Sequence, residues 1–374
     1  MKTEVLIVGG GVIGAAIAYE CAKSGRSVTI IDQHKLGAEA SKAAAGMLGA
    51  QVESHRPGPF YELCKLSRDL YRNWVAELEQ TSGQTVDYNA SGILRVALTH
   101  EDEVELQSRL QWIGSDVHWL HRHEIIALEP RLGDSCTGGI YFSGDHQIHA
   151  PKLADSLRLA LLKLGVQMVE HATISEWLRG DETTMKGVRI TTATEEQTIF
   201  AEQIVIAAGA WSTDILAQLG VHLAIRPVKG QIMAVTPHEP LISRTVFTKG
   251  CYVVPKQDGS YVVGATEEDS GFDKRIIPTA VERIRQTAFR LLPALESAQF
   301  ERTWTGLRPG SADGMPFLGK AANWHNLFVA AGHYRNGILL TPVTAIMMRE
   351  MLAESLDGLT RSFDFSPFAV SRTI

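Results

Sequence analysis

The chain has 374 residues, with 36 Lys and Arg against 42 Asp and Glu, for a formal charge of −6. That length exceeds what one hydrophobic core usually serves and predicts two domains. The acidic balance excludes the basic footprint of a nucleic-acid binder, and no apolar run reaches the ~18 residues of a membrane span.

Glu4 to Val8 (EVLIV) is a short β-branched run without polar alternation, which predicts a strand buried on both faces. Gly9, Gly10 and Gly11 follow, then a helical stretch from Val12 to about Lys23 that Ser24-Gly25 ends. Ser27 to Ile31 is a second apolar strand, closed by Asp32. The unit is a β-turn-α-β crossover with Gly9-x-Gly11-x-x-Gly14 at its turn. Gly9 permits the tight turn, Gly11 lets backbone approach a pyrophosphate, and Gly14 lets helix and strand pack closely. The helix N-terminus offers N–H groups to phosphate. Asp32 is placed to accept the ribose hydroxyls and to repel a 2′-phosphate, which disfavours NADP. This fingerprint predicts a dinucleotide site but does not separate FAD from NAD. The apolar stretch from Val5 to Ala18 is rich in glycine, breaks at Glu20 and follows the single early cation Lys2, so it does not read as a signal peptide.

Gly37 to Ala50 (GAEASKAAAGMLGA) has little side chain to bury, which suits a tightly packed connection or a close approach to a ligand. Tyr61 to Gln80 reads as an amphipathic helix and Gly92 to Ala97 as a strand. A helix starts at Ala150-Pro151, since proline suits the first turn. Val166 to Val169 is a strand, Thr192 to Ala201 strand and turn, and Gln203 to Ala208 a third buried strand. Gly209 to Ser212 leads into a helix. From Arg226 the pattern becomes antiparallel β. Val228 to Val235 is one strand, and Cys251 to Pro255 and Tyr261 to Val263 flank the hairpin signal Asp258-Gly259. Val281 to Leu292 is helical. Leu327 to Ala331 is a final buried strand, followed by a glycine-containing turn and a helix from about Gly337 to Glu354.

The expected fold class is α/β: a Rossmann-like dinucleotide domain with a second, antiparallel β-rich substrate domain, their segments interleaved. Residues 1–85, 149–225 and 303–374 are assigned to the first, and 86–148 and 226–302 to the second. Cys21, Cys64, Cys136 and Cys251 form no CxxC pair and suit neither a metal site nor a disulfide framework, so no metal is expected and the thiols suit a reducing cytoplasm.

Five motifs recur in order: Gly46-Met47-Leu48-Gly49, Lys229-Gly230-Gln231, Tyr252-Val253-Val254-Pro255, Gly306-Leu307-Arg308-Pro309, and His333-Tyr334-Arg335-Asn336-Gly337 with Gly332 before it. Together they resemble the D-amino acid oxidase and sarcosine oxidase superfamily of flavoproteins, end to end, and within it the glycine oxidase family of thiamine-thiazole synthesis. The resemblance implies a two-domain flavin amine oxidase, a homotetramer. It is expected to deaminate glycine and other small amines oxidatively, by hydride transfer from the α-carbon to flavin and reoxidation by oxygen to peroxide. FAD contacts carry over to Gly9, Gly11, Val12, Ile13, Gly14, Asp32, Gln33, Ala40, Ser41, Ala45, Gly46, Met47, Ile174, and the run His333, Tyr334, Arg335, Asn336, Gly337, Ile338, Leu339. The FAD is expected to be noncovalent, because covalent relatives use a cysteine in the C-terminal third and none follows Cys251. The catalytic and substrate residues carry over to Arg308, Tyr252 and Arg335.

Chemistry supports Arg308 as the carboxylate clamp, since a guanidinium offers two parallel donors and a Leu-Arg-Pro-Gly turn would fix it. Tyr252 could donate to the same carboxylate, and Arg335 could close the pocket or touch the flavin edge. The last helix would aim its N-terminus at charge on reduced flavin. His333 is read as a hydrogen-bonded structural group and not as a base. Gly250 and Glu267 replace a larger polar and an apolar residue of the family pattern and are expected to face the pocket. Alternatives on this scaffold are a sarcosine or D-amino acid oxidase or dehydrogenase, and an FAD-holding accessory subunit. An NAD-dependent dehydrogenase fits only the first motif.

Overall fold

Strands that are apolar on both faces must be covered on both faces, and in the computed structural model the first sheet is built from such strands. Residues 1–114, 117–355 and 358–372 are described. Lys2–Val8 lies at the centre of this sheet, parallel to Val28–Ile31 on one side and to Glu196–Ile206 on the other. Gln167–Val169 and Leu327–Ala331 extend the parallel run outward, and Phe317–Lys320 closes one edge antiparallel. Val5 and Ile7 point into a core shared with the helices Val12–Lys23, Pro59–Ser82, Ala150–Lys163 and Thr341–Leu352. Leu6 and Val8 point into a second core, on the opposite face, as the period of two requires. Val28–Ile31 and Glu196–Ile206 flank Lys2–Val8 on opposite sides, and a cavity opens at the carboxyl end of Lys2–Val8.

The second sheet has eight strands, in the order Gln299–Ser311, Ile225–Thr236, Tyr261–Gly264, Cys251–Pro255, Thr245–Thr248, Ile93–Ala97, Gly138–Phe142 and Trp119–His121. All neighbours are antiparallel except Thr245–Thr248 and Ile93–Ala97. The hairpin expected at Asp258-Gly259 joins Cys251–Pro255 to Tyr261–Gly264.

Several elements differ from the sequence expectation. Thr192 to Ala201 and Gln203 to Ala208 are not separate strands: one strand runs over Glu196–Ile206. Its first half is half-exposed and pairs with Met185–Thr191, itself paired with Thr173–Arg179. Its second half is buried and pairs with Lys2–Val8. One strand with two environments has no single periodicity. Leu307-Arg308-Pro309-Gly310 is not a turn but lies within the strand Gln299–Ser311. Proline is tolerated there because the strand is at the sheet edge, with Pro227 opposite Pro309. The domain boundary expected at residue 303 falls inside this strand, all of which belongs to the second sheet. The last α-helix begins at Thr341, not Gly337. A 3₁₀ turn at Tyr334–Asn336 and further turn residues precede it.

Gly14 tests the crossover directly. A Cβ there would lie 1.9 Å from the Gly9 carbonyl oxygen, a backbone atom that cannot easily yield. Alanine gains about 1 kcal/mol of helix propensity, but overpacking of this kind costs about 1–3 kcal/mol or more. Gly14→Ala is therefore expected to lower the denaturation midpoint in urea. A midpoint equal to or above the parent's would show that the helix can back away.

Candidate active site

The crevice at the end of Lys2–Val8 opens into one long cavity between the two sheets. Gly9 turns the chain at φ +110, and a Cβ there would lie 2.4 Å from the Ala207 carbonyl oxygen of the neighbouring strand's end. Gly11 caps the helix without a side-chain bond, and the Val12 amide donates to Ser41 Oγ at 2.9 Å. The Ile13 amide has no intrahelical partner in a first turn, and Ile13 lines the cavity, where the amide would be available to an anion. Asp32 accepts from the Gly10 amide at 2.6 Å and the His34 amide at 2.7 Å while lining the cavity. Burial pushes its carboxyl above the usual range against those two amides.

Of the residues expected at the cofactor, Gly9, Gly11, Val12, Ile13, Asp32, Gln33, Ala40, Ser41, Ala45, Gly46, Met47, Ile174, His333, Tyr334, Arg335, Gly337 and Ile338 line this cavity. Gly14, Asn336 and Leu339 stand behind the lining: Gly14 packs against Gly9, and the Leu339 carbonyl accepts from Ser67 Oγ at 2.7 Å. The small-residue segment is a tightly packed connection, and residues of it line the cavity. A Cβ at Gly46 would meet the Ile148 carbonyl at 2.1 Å, and a Cβ at Gly306 would meet Ala43 at 2.6 Å, so the arginine-bearing strand crosses this segment closely. Lys256, partly buried, donates to the carbonyls of Ala45 at 2.6 Å and Ile148 at 3.0 Å and so fixes that wall.

At the other end stand Tyr252 and Arg308. Arg308 pairs across the sheet with Val228, and its guanidinium lies over the next inward position, Gly230. A Cβ at Gly230 would be 2.5 Å from Nη1 and 2.6 Å from Nη2. Arg308 donates to the Thr266 carbonyl at 3.1 Å, and among the described residues it forms no salt bridge. Tyr252 lies over Gly264 on the adjacent strand. Burial pushes its hydroxyl up to about 12, although Arg308 pulls the other way, so it is a proton donor at neutral pH.

Arg335 is different. Its Nε and Nη2 each lie 3.0 Å from Glu53 Oε2, and its Nη1 is 3.3 Å from Glu267 Oε2. The Tyr334 hydroxyl donates to Glu267 Oε1. Glu53 sits on a segment held from both sides. The buried Asp145 carboxylate accepts from the Gln51 and Val52 amides, while Arg95 and Arg109 donate to the Val52 and Ser54 carbonyls. His333 is buried, bonded to Thr344 Oγ1 at 3.1 Å, and pushed down to about 3 by burial, so it is neutral.

Gly250 does not face the cavity. It is an exposed turn residue at φ +76 beside Cys251–Pro255, where only a left-handed conformation fits. Glu267 stands at the rim, through its bonds to Tyr334 and Arg335. The sequence reading also missed Ala207 to Gly209, Trp177, Trp211 and Glu53. The first of these was discoverable, because Ala207 to Gly209 ends a buried parallel strand beside the glycine turn. Glu53 had no signal, since its partner is 282 residues away. Cys21, Cys64, Cys136 and Cys251 are all buried and unpaired, and none lines the cavity.

Fold and site together define a dinucleotide enzyme, with Arg308 and Tyr252 lining one end of the cofactor cavity. The FAD dependent oxidoreductase family model matches residues 4–351. The glycine oxidase of Geobacillus kaustophilus is 38% identical over 378 aligned residues, which cover 100% of this chain and 98% of that protein. The crystal structure of glycine oxidase from Geobacillus kaustophilus superposes with a TM-score of 0.93 at 37% identity, covering 100% of this chain and 99% of that one. The bifunctional protein ThiO/ThiG of Nostoc sp. is 35% identical over 98% of this chain, which spans 55% of that longer protein. The chain belongs to the family of FAD-dependent oxidoreductases, and FAD is its cofactor. Residues of the cavity fit it: the glycine turn and Asp32 would hold the pyrophosphate and ribose. The close backbone contact at Gly46 and the walls of Met47 and Ile338 would flank the ring.

The contact between Gly230 and Arg308 can be tested. The guanidinium is the flexible end of a side chain, so Gly230→Ala is expected to displace it at a cost to stability of less than about 1 kcal/mol. A displacement of about 1 Å can weaken a positioned function roughly 10²-fold. Carboxylate binding, titrated by the visible absorption of the holoenzyme, should weaken while the melting temperature holds. Unchanged carboxylate affinity would show that Arg308 does not bind the anion over Gly230.

Proposed function

We propose that this chain is an FAD-dependent oxidase of glycine and other small amino acids, yielding the oxo acid, ammonia and hydrogen peroxide. The observation that carries the reading is Arg308: a guanidinium lining the cavity with a carbonyl and, among the described residues, no carboxylate in a salt bridge with it. A substrate carboxylate would supply the missing anion in two-point contact, and the Tyr252 hydroxyl would donate to it. Gly230 and Gly264 give both side chains room. The small space between them suits a substrate with little or no side chain.

The chemistry that FAD supplies when bound is hydride acceptance at the ring, followed by delivery of two electrons to dioxygen. The chain's own work is orientation. With the carboxylate pinned, the amine lone pair can form C=N as the α-hydrogen leaves with its electron pair. Water then hydrolyses the imine. Neither His333 nor Tyr252 is placed as a base: His333 is buried and bonded to Thr344, and Tyr252 holds its proton. The reading includes noncovalent FAD, supported by the absence of cysteine from the cavity lining. It includes a role supplying thiamine-thiazole synthesis, supported by the likeness to glycine oxidases and to the ThiO/ThiG protein. A cytoplasmic, homo-oligomeric and in particular homotetrameric enzyme completes it. Four buried, unpaired thiols suit that compartment, and among the described residues no helix is long and apolar enough to cross a membrane.

Peroxide release compared across glycine, sarcosine, D-alanine and D-proline tests the substrate class. Arg308→Met removes two charge-assisted hydrogen bonds of about 1.5–3 kcal/mol each, so kcat/KM is expected to fall roughly 10²–10⁴-fold. Glycine turnover untouched by this substitution would rule out the clamp.

The pH profile tests the absence of a base. Tyr252, at about 12, and His333, at about 3, do not titrate near neutrality, so kcat/KM should rise with pH as the substrate amine loses its proton. Lys256, pushed down to about 7 by burial, is a titrating group in the wall. Substrates whose amines differ in pKa separate the two sources: a substrate limb moves with the amine, whereas a limb owed to Lys256 stays fixed. A limb that does not move would refute the neutral-amine mechanism.

A further inference from the structure

Two arginines reach the cavity, but only one is left for a ligand. Arg308 forms no salt bridge among the described residues, whereas every guanidinium nitrogen of Arg335 is engaged: Nε and Nη2 by Glu53 and Nη1 by Glu267. Glu267 is in turn fixed at both oxygens, by Arg335 and by the Tyr334 hydroxyl. Burial alone would push the Glu267 carboxyl up, but that hydroxyl and the charges of Arg335 and Arg308 hold it below the usual range, so it is an anion at neutral pH.

The two carboxylates differ in depth. Glu53 is 9% exposed and sits on the backbone segment pinned by Asp145, Arg95 and Arg109. Glu267 is 53% exposed and stands on the solvent side. The four charges at this end of the cavity, Arg308, Arg335, Glu53 and Glu267, sum to zero. One substrate carboxylate on Arg308 leaves a single excess negative charge. A second carboxylate reaching outward finds no unpaired cation and meets Glu267 directly.

We propose that Glu267 is a specificity residue that restricts this site to amines carrying one carboxylate, by occupying Arg335 from the solvent side. It acts through Arg335 and touches neither the reacting atoms nor the clamp. Discrimination then comes from a repulsive element as well as from the attractive one at Arg308. The inference rests on the reading of Arg308 as the carboxylate site.

The test uses the FAD-loaded protein and two ligands that it cannot oxidise as amines, methoxyacetate with one carboxylate and oxydiacetate with two. Dissociation constants are read from the visible absorption of the flavin for the parent, Glu267→Gln and Glu267→Asp. In the parent, methoxyacetate is expected to bind more tightly than oxydiacetate. Glu267→Gln should shift the ratio of the two constants toward oxydiacetate by about 10-fold, and Glu267→Asp, which keeps the charge, should restore most of the parent ratio. The parent also gives a check that needs no substitution. Because Glu267 is half exposed, its repulsion is screened, so the ratio should narrow as ionic strength rises from low values to about 1 M. A ratio unmoved by Glu267→Gln, an equal change in both constants, or a parent that prefers oxydiacetate at low salt would each overturn the proposal. Failure of the reading beneath it looks different: methoxyacetate would not perturb the flavin at all, or would bind equally well without the Arg308 guanidinium, and both conclusions would then fall.

Discussion

The guanidinium of Arg308 is held over the backbone of Gly230 with one carbonyl oxygen as its partner, at the end of a cavity lined by the other sheet. The guanidinium is only partly buried, so it keeps its charge without an internal anion. The edge strand that carries it is paired along its length with Ile225–Thr236, and the remaining carboxylates nearby are already committed to Arg335. On the proposed reading, an incoming carboxylate would find this guanidinium without having to displace an internal acid. The division of labour between the two arginines sets the chemistry of the site more than the presence of either.

The cavity exists because two sheets with different logic meet there. The parallel sheet opens at the carboxyl end of Lys2–Val8, which its neighbours flank on opposite sides. The antiparallel sheet presents Tyr252 and Arg308 from non-adjacent strands, each crossing a glycine on the next strand inward. Between them, Ala43 fits against Gly306 and Gly46 against the Ile148 carbonyl, so the connecting segment can be thin. Polar groups then hold it: Lys256 caps the carbonyls of Ala45 and Ile148, and the buried Asp145, Arg95 and Arg109 tie the segment carrying Glu53. Each of these groups satisfies backbone that a loop at this depth would otherwise leave without partners.

Much of the cofactor end was legible from residues close in the chain. Gly9, Gly11, Gly14 and Asp32 lie within one crossover, so spacing alone encodes their geometry, and the helix limits Val12 and Lys23 follow from local capping chemistry. The hairpin at Asp258-Gly259 is equally local. Elements whose neighbours lie far away in sequence were misread. Glu196–Ile206 looked like two strands because its halves face different partners, and Arg308-Pro309 looked like a turn because the edge position that tolerates proline is not written in the adjacent residues.

The sequence by itself therefore determined the dinucleotide fold, the order of the motifs and the residue types the chemistry needs, because turn geometry and strand period act over a few residues. Only the tertiary structure decided which arginine is available. Arg335 is neutralised by Glu53 and Glu267, 282 and 68 residues away, and the guanidinium of Arg308 is left facing the cavity. Charge pairing across such separations depends on where the two sheets bring side chains together, and no local pattern carries it.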